Sequence, residues 1–359
     1  MPDSKIIKFL LDHNKEQSRI YCSPDETLAR RKYRAEHPTE FAALKCMDGR
    51  INLPIITKTP WGIIQPFRNV GGKFDFGWPY FGQLIQDWVS YSVSRGRDCI
   101  ILITYHWSKG SLHRGCKGFN YSVSESQVHT FWLKEQAERI YGKHHSVVYP
   151  IQVGVETDED ALFIHGKNGA VLDLSTLKNG ETTDKTMRVM IEQLFPDMNK
   201  RMVNDFIPIL LGNLCHIAEI REAKRPIKEV EHGEDTIALG RGFSWLHIPN
   251  KALIVGPFSY VLSEPIATAA NIVLSNLTEG RVHKKDGAVL MVSALCREPA
   301  GPEKLAAMEK ADSLARLAMD TIKRKVPKLM PYLKVLVGTV NNNTMLFTPN
   351  EKLEGLIKN

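Results

Sequence analysis

Long runs of any single kind are missing from this sequence. No stretch approaches the roughly 20 apolar residues that a membrane-spanning helix needs. The apolar residues at 6–11 end at Asp12-His13, too few for a secretory signal. No membrane partner is expected. Cysteine is scarce, with six in 359 residues: Cys22, Cys46, Cys99, Cys116, Cys215 and Cys296. Their scattered spacing excludes a disulfide scaffold. It points to a reducing, cytoplasmic setting, where a cysteine is a ligand, a nucleophile or a core residue. Charge of one sign does not accumulate either. Lysine and arginine number 47 against 40 acidic residues, a net charge of +7 with pI near 9.0, but the two signs are well mixed. The densest basic clusters, Arg30-Arg31-Lys32 and Lys323-Arg324-Lys325, are short and read as solvated helix faces. With no finger or aromatic ribonucleoprotein motif, nucleic acid is not the expected partner.

What is present is an ordinary globular balance, 43% apolar and 24% charged, in a chain long enough for two domains. Residues 1–40 are polar and read as one or two helices. An α/β pattern follows. Residues 41–45 and 62–67 are short strand candidates. Residues 81–94 place Leu84, Ile85, Trp88, Val89 and Val93 on one helical face. Residues 99–105 (CIILITY) form an unbroken apolar run of the kind found in central parallel strands. A helix is expected at 124–141 and a strand at 147–156. Strands alternating with helices imply a parallel sheet with crossover helices.

Residues 183–222 look mostly helical and link two halves. The second half offers strands at 235–240, 251–255, 288–295 and 333–340, with helices at 264–277 and 302–322. Strand, helix, long apolar strand, loop, helix and strand recur in both halves, the layout of a diverged duplication.

Chemistry concentrates where two strands end. In open α/β sheets, ligands collect at the carboxyl ends of strands. "CMDGR" (46–50) follows the first strand, and "HWSKGSLHRGCKGF" (106–119) follows the apolar run. Together they offer Cys46, His106, His113 and Cys116. Two thiolates and one imidazole form a soft donor set that suits tetrahedral zinc. Three protein ligands leave a fourth position open, as catalytic zinc sites do. Asp48 and Arg50 sit beside the first thiol, and an arginine near a carboxylate holds it ionised. "RNVGG" (68–72) follows directly after the second strand, with glycines that let backbone approach a site closely. Cys215-His216 and Cys296 match no ligand spacing and read as core residues.

"CMDGR", then "RNVGG", then a strand ending in histidine, then a cysteine, resembles the order in β-class carbonic anhydrases. "YHWSKGSLHRGCKGF" is similar in particular to the carboxysomal shell type, as is "VGVETDEDALFIHG" (153–166). The likeness covers about residues 45–170, and beyond 235 it extends only to layout. It implies that His106, at the strand end, ligates the metal rather than His113 in the glycine-rich loop. It implies one Zn2+ per chain on Cys46, His106 and Cys116. It assigns Asp48 to accept a hydrogen bond at the reacting water and Arg50 to hold Asp48 ionised. It also implies an α/β fold of mostly parallel sheets with flanking helices, built as a tandem pseudo-dimer. Residues 1–40 would be a short helical segment, 41–185 the catalytic zinc domain and 186–359 a degenerate repeat without metal.

The expected activity is that of a carbonate dehydratase, the reversible hydration of carbon dioxide to bicarbonate and a proton. Zinc favours it by lowering the pKa of a bound water from about 15.7 to roughly 7. His113, His129 and His165 are candidate proton relays. The resemblance also implies a homodimer of pseudo-dimers and association with a carboxysome shell or with Rubisco. Two other readings keep the same residues: a zinc enzyme acting on another small molecule such as carbon disulfide, and a non-catalytic binding scaffold.

Overall fold

The structure, a computed structural model, describes residues 4–142 and 147–350. The chain is α/β, with two mostly parallel mixed sheets flanked by helices. It divides into two compact units. One comprises Leu28–Cys46 and Arg50–Glu231. The other comprises Met1–Thr27, Met47–Gly49 and His232–Asn359.

In chain order the elements are α1 (Lys5–Tyr21), α2 (Pro24–Glu36), β1 (Glu40–Cys46), α3 (Leu53–Ile56), β2 (Ile64–Asn69), α4 (Pro79–Ser94), β3 (Cys99–Trp107), α5 (Val123–Tyr141) and β4 (Val148–Glu156). Then come β5 (Ala161–His165), β6 (Val171–Asp173), α6 (Asp184–Leu194), α7 (Lys200–Ala223), β7 (Thr236–Gly240), β8 (Ala252–Val255), α8 (Ser263–Thr278), β9 (Ala288–Cys296), α9 (Pro302–Lys325), β10 (Leu333–Asn341) and β11 (Phe347–Pro349). No helix among the described residues is long and apolar enough to cross a membrane.

The first sheet has the order β2-β1-β3-β4-β5-β6, the second β8-β7-β9-β10-β11. In the first, β1, β2, β3 and β4 are parallel, and β5 and β6 are added antiparallel. In the second, β7, β8, β9 and β10 are parallel and β11 is antiparallel. The order is thus the same in both, strand for strand, except that the first carries β6. The apolar run of β3 is buried almost throughout, as is β4, because helices cover both faces of a parallel sheet. The sequence pattern missed β5, β6 and β11. These strands are only three to five residues long, too short for periodicity to register.

The units do not divide at 185/186, the boundary expected from the sequence. Helices α6 and α7 belong with the first sheet. Buried Asn213 of α7 accepts a hydrogen bond from Leu162 N at 3.0 Å and donates to the carbonyls of Ile56 and Asp160. Residues 1–40 do not stand apart either. Asn14 of α1 donates to Met345 O at 2.9 Å and accepts from Phe347 N at 2.7 Å, so α1 belongs to the second-sheet unit. Both attachments are hydrogen bonds between residues far apart in sequence, which no local pattern announces.

Candidate metal centre

Cys46 is the last residue of β1 and His106 the penultimate residue of β3, its parallel neighbour. The chain leaves β1 towards β2 on one side and leaves β3 towards β4 on the other. The gap between β1 and β3 is therefore where the strand order reverses, the place where open α/β sheets hold ligands. Cys116 arrives from the loop beyond β3, after a single 3-10 turn at Leu112–Arg114.

These three residues meet. One ligand atom from each of Cys46, His106 and Cys116 lies within 4.8 Å of the others, and all three side chains are buried. The sulfurs are 3.9 Å apart. Two thiolates at about 2.3 Å from a tetrahedral zinc would be separated by about 3.8 Å, so the spacing fits shared coordination. His106 is 2% exposed, and neither ring nitrogen has a hydrogen-bond partner among the described residues. A buried polar atom without a partner costs about 1–3 kcal/mol, and a metal ion would remove that cost at the ligating nitrogen. The donor set therefore fits a metal ion. His113 is exposed, stands edge-on to Tyr121 with ring centroids 5.2 Å apart, and is not part of this group.

Glycines let the Cys116 turn close. Gly71 and Gly72 both have φ of +64°, which L side chains adopt only with strain. A Cβ on Gly118 would lie 2.7 Å from Gly71 Cα and N. A Cβ on Gly72 would meet Thr104 O at 3.0 Å and Cys46 N at 3.5 Å. "RNVGG" is thus the surface on which the backbone after Cys116 and the end of β1 pack. Asn69, expected beyond the second strand, is its last residue.

The loop between His106 and Cys116 is tied along most of its length. Thr157 N donates to Trp107 O at 2.8 Å. Glu156, fully buried, accepts from Lys109 N at 2.9 Å and from the amides of Asp158 and Glu159. Burial pushes its carboxyl up, against those three amides, which pull it down. Arg50 donates to Arg114 O at 2.7 Å and to Val230 O. Its guanidinium therefore holds the backbone two residues before Cys116, a task the sequence reading did not give it.

Asp48 is buried at 3% exposure and belongs to the second-sheet unit, where it forms an isolated antiparallel bridge with Leu253. Next to it, Met47 O accepts from Ile254 N at 2.7 Å. Among the relay candidates, His129 is partly buried against Phe119 and Trp132. Burial first, then the nearby Lys73 charge, holds it down at about 4. It is neutral at neutral pH and poorly matched to proton transfer there. His165 is lowered by burial and lies 2.7 Å from the Tyr105 hydroxyl. His216 Nε2 lies within hydrogen-bond distance of Asp160 Oδ2, at 2.9 Å, and the Cys296 thiol faces Val340 O at 3.7 Å, both in packing roles.

Sequence reasoning missed Glu156, Thr157, Asp158 and Gly118 as site-building residues. The signal was present: four polar residues, Thr157-Asp158-Glu159-Asp160, directly follow a fully buried strand. No protein-family model matches the chain, and no curated protein matches it either.

Proposed function

We propose that this chain is a zinc-dependent carbonic anhydrase of the β-class, nearest in kind to the carboxysomal shell type. The observation that carries the reading is the buried Cys46–His106–Cys116 group, with an imidazole whose two nitrogens meet no protein partner among the described residues. Three protein donors leave one position of a tetrahedral ion for a small reactant, whereas structural zinc sites are closed by four. When bound, zinc supplies the Lewis acidity that makes water reactive near neutral pH. The residues of the chain do the remaining work. Cys46, Cys116 and His106 hold the ion in a buried setting, where fixed charges act more strongly than in bulk water. Asp48 is assigned as hydrogen-bond acceptor for the reacting water. Arg50 is assigned as the cation that keeps it ionised, alongside its grip on Arg114 O.

The second unit is read as a diverged repeat without metal, so that the chain is a tandem pseudo-dimer. The shared strand order supports this. Leu295 is the penultimate residue of β9, as His106 is of β3, and β7 ends in Gly240 where β1 ends in Cys46.

The test is stopped-flow hydration of carbon dioxide beside hydrolysis of carbon disulfide, on wild type and Cys46→Ala. The reading expects carbon dioxide hydration by wild type, loss in the variant and no carbon disulfide turnover. Hydration that survives in Cys46→Ala would sink it.

A further inference from the structure

The turn after β4 supplies two carboxylates to the loop that carries Cys116, and they do different things. Glu156 accepts from the amides two and three residues later, Asp158 N and Glu159 N. The second unit repeats this device with an amide. Asn341 Oδ1 accepts from Asn343 N at 2.9 Å and Thr344 N at 3.1 Å. The two positions correspond, since each ends its strand and pairs with the last residue of its neighbour, Trp107↔Glu156 and Cys296↔Asn341. Capping this turn is therefore a property of the fold, needed with or without ligands to a metal.

Asp158 is another matter. Its Oδ1 accepts from Ser108 Oγ at 2.8 Å and its Oδ2 from Gly110 N at 2.7 Å. Arg114 Nη1 lies 3.7 Å from Oδ1. Ser108 Oγ accepts in turn from Ser111 N at 3.1 Å. One carboxylate thus gathers residues 108, 110 and 114 and, through Ser108, residue 111. A Cβ on Gly110 would lie 2.8 Å from Oδ2, so a larger residue here would have to push the carboxylate aside. In the second unit Asn343 stands at the matching place and its side chain reaches one carbonyl, Arg297 O, at 3.5 Å. What distinguishes the first unit is a charged clamp on the segment between two of its three metal-ligating residues.

We propose that Asp158 is a positioning residue for the metal centre: by locking residues 108–114 it presets Cys116 opposite His106 and Cys46. A loop held in place before metal arrives loses less conformational freedom on binding, so the clamp appears as affinity. Residues that orient ligands without touching the metal typically contribute about 10–100-fold to affinity. The proposal rests on the metal centre of the function proposed above, though not on the reaction assigned to it.

The experiment measures Zn2+ affinity by chelator competition on the full chain, with the cobalt–thiolate absorption of the Co2+-loaded form. Asp158→Ala removes every contact of the clamp. Asp158→Asn keeps an acceptor for Ser108 but loses the charge and turns a donor towards Gly110 N. Glu159→Gln is the control. Its carboxylate pairs with Arg221 of α7 at 2.8 Å and feels the charge of Lys109, but among the described residues it makes no hydrogen bond to the loop. The expected result is a loss of about 10–100-fold for Asp158→Ala, a smaller loss for Asp158→Asn, and no change beyond twofold for Glu159→Gln. The cobalt–thiolate band per bound metal should weaken in Asp158→Ala as Cys116 is released, while the metal-free melting temperature stays near that of wild type. Wild-type affinity and spectrum in Asp158→Ala would overturn the proposal, and so would equal losses in Asp158→Ala and Glu159→Gln. A wild-type chain that binds no metal overturns both this role and the proposed function. Tight metal binding with the expected loss in Asp158→Ala but no carbon dioxide hydration leaves this role standing and removes only the reaction.

Discussion

Replacing Gly118 by alanine tests how the metal centre is assembled without touching a ligand. The new Cβ would lie 2.7 Å from both Cα and N of Gly71 and 3.2 Å from Val70 C. All three are backbone atoms, so no side chain can swing aside. Ordinary contact begins at 3.4 Å, so the turn after Cys116 must move by roughly 0.7 Å. Gly71 has little room to yield, because Phe119 already sits close over it and its φ is +64°. Metal–ligand distances tolerate only about 0.2 Å, and a working constellation must be held within about 0.5 Å. The displacement begins two residues from Cys116. Metal affinity should therefore fall about 10-fold or more, and overpacking should cost about 1–3 kcal/mol of stability. That is ~2–4 °C in melting temperature per kcal/mol for a unit of this size. The assays are chelator competition and thermal melting, with Lys117→Ala, an exposed neighbour, as control. If Gly118→Ala binds metal and melts like wild type, the Gly71–Gly118 crossing does not set the position of Cys116.

Other expectations follow from burial and charge. Burial pushes the Cys99 thiol up to about 12, while Cys22 is exposed. Thiol-alkylating reagent at pH 8 should label Cys22 in the native protein and spare Cys99 until unfolding, read by mass spectrometry of peptides; fast native labelling of Cys99 would contradict its placement. Zinc should protect Cys46 and Cys116, and a chelator should expose them to the same reagent; labelling indifferent to chelation would count against their role as ligands. His129 is held neutral in the fold, at about 4 against 6.5. Its contribution is present above pH 6.5 and is lost as pH falls towards 4, because the unfolded chain takes up the proton first. Allowing for solvent screening of a partly exposed group, this amounts to roughly 2 kcal/mol. His129→Gln should flatten the fall in stability between those pH values, measured by denaturant melts, and an unchanged slope would refute the assignment.

The central strands were legible because burial on both faces writes an unmistakable run: 99–105 lies within β3 and 147–156 contains β4. The group Cys46, His106 and Cys116 was legible for a related reason, since strand ends next to each other in a parallel sheet deliver their residues to one place. The choice of His106 over His113 came from the family resemblance, with the expected strand end in agreement. The structure extends β3 through His106, which fixes that ring, and leaves His113 in an exposed turn. What could not be read was how the loop between His106 and Cys116 is held. Its anchors lie about 50 residues downstream in Glu156, Thr157 and Asp158 and more than 60 residues upstream in Arg50, and side-chain-to-backbone bonds at such distances leave no periodicity. The place of α1, fixed by bonds from Asn14 and Ser18 to residues 344–347, was hidden for the same reason.

The most direct test of the account is zinc content and carbon dioxide hydration measured on the same preparations of wild type, His106→Ala and His113→Ala. The account predicts about one zinc per chain and rapid hydration in wild type. It predicts loss of both in His106→Ala and retention of zinc in His113→Ala. A wild-type chain without zinc, or a His106→Ala variant that still hydrates carbon dioxide, would contradict it.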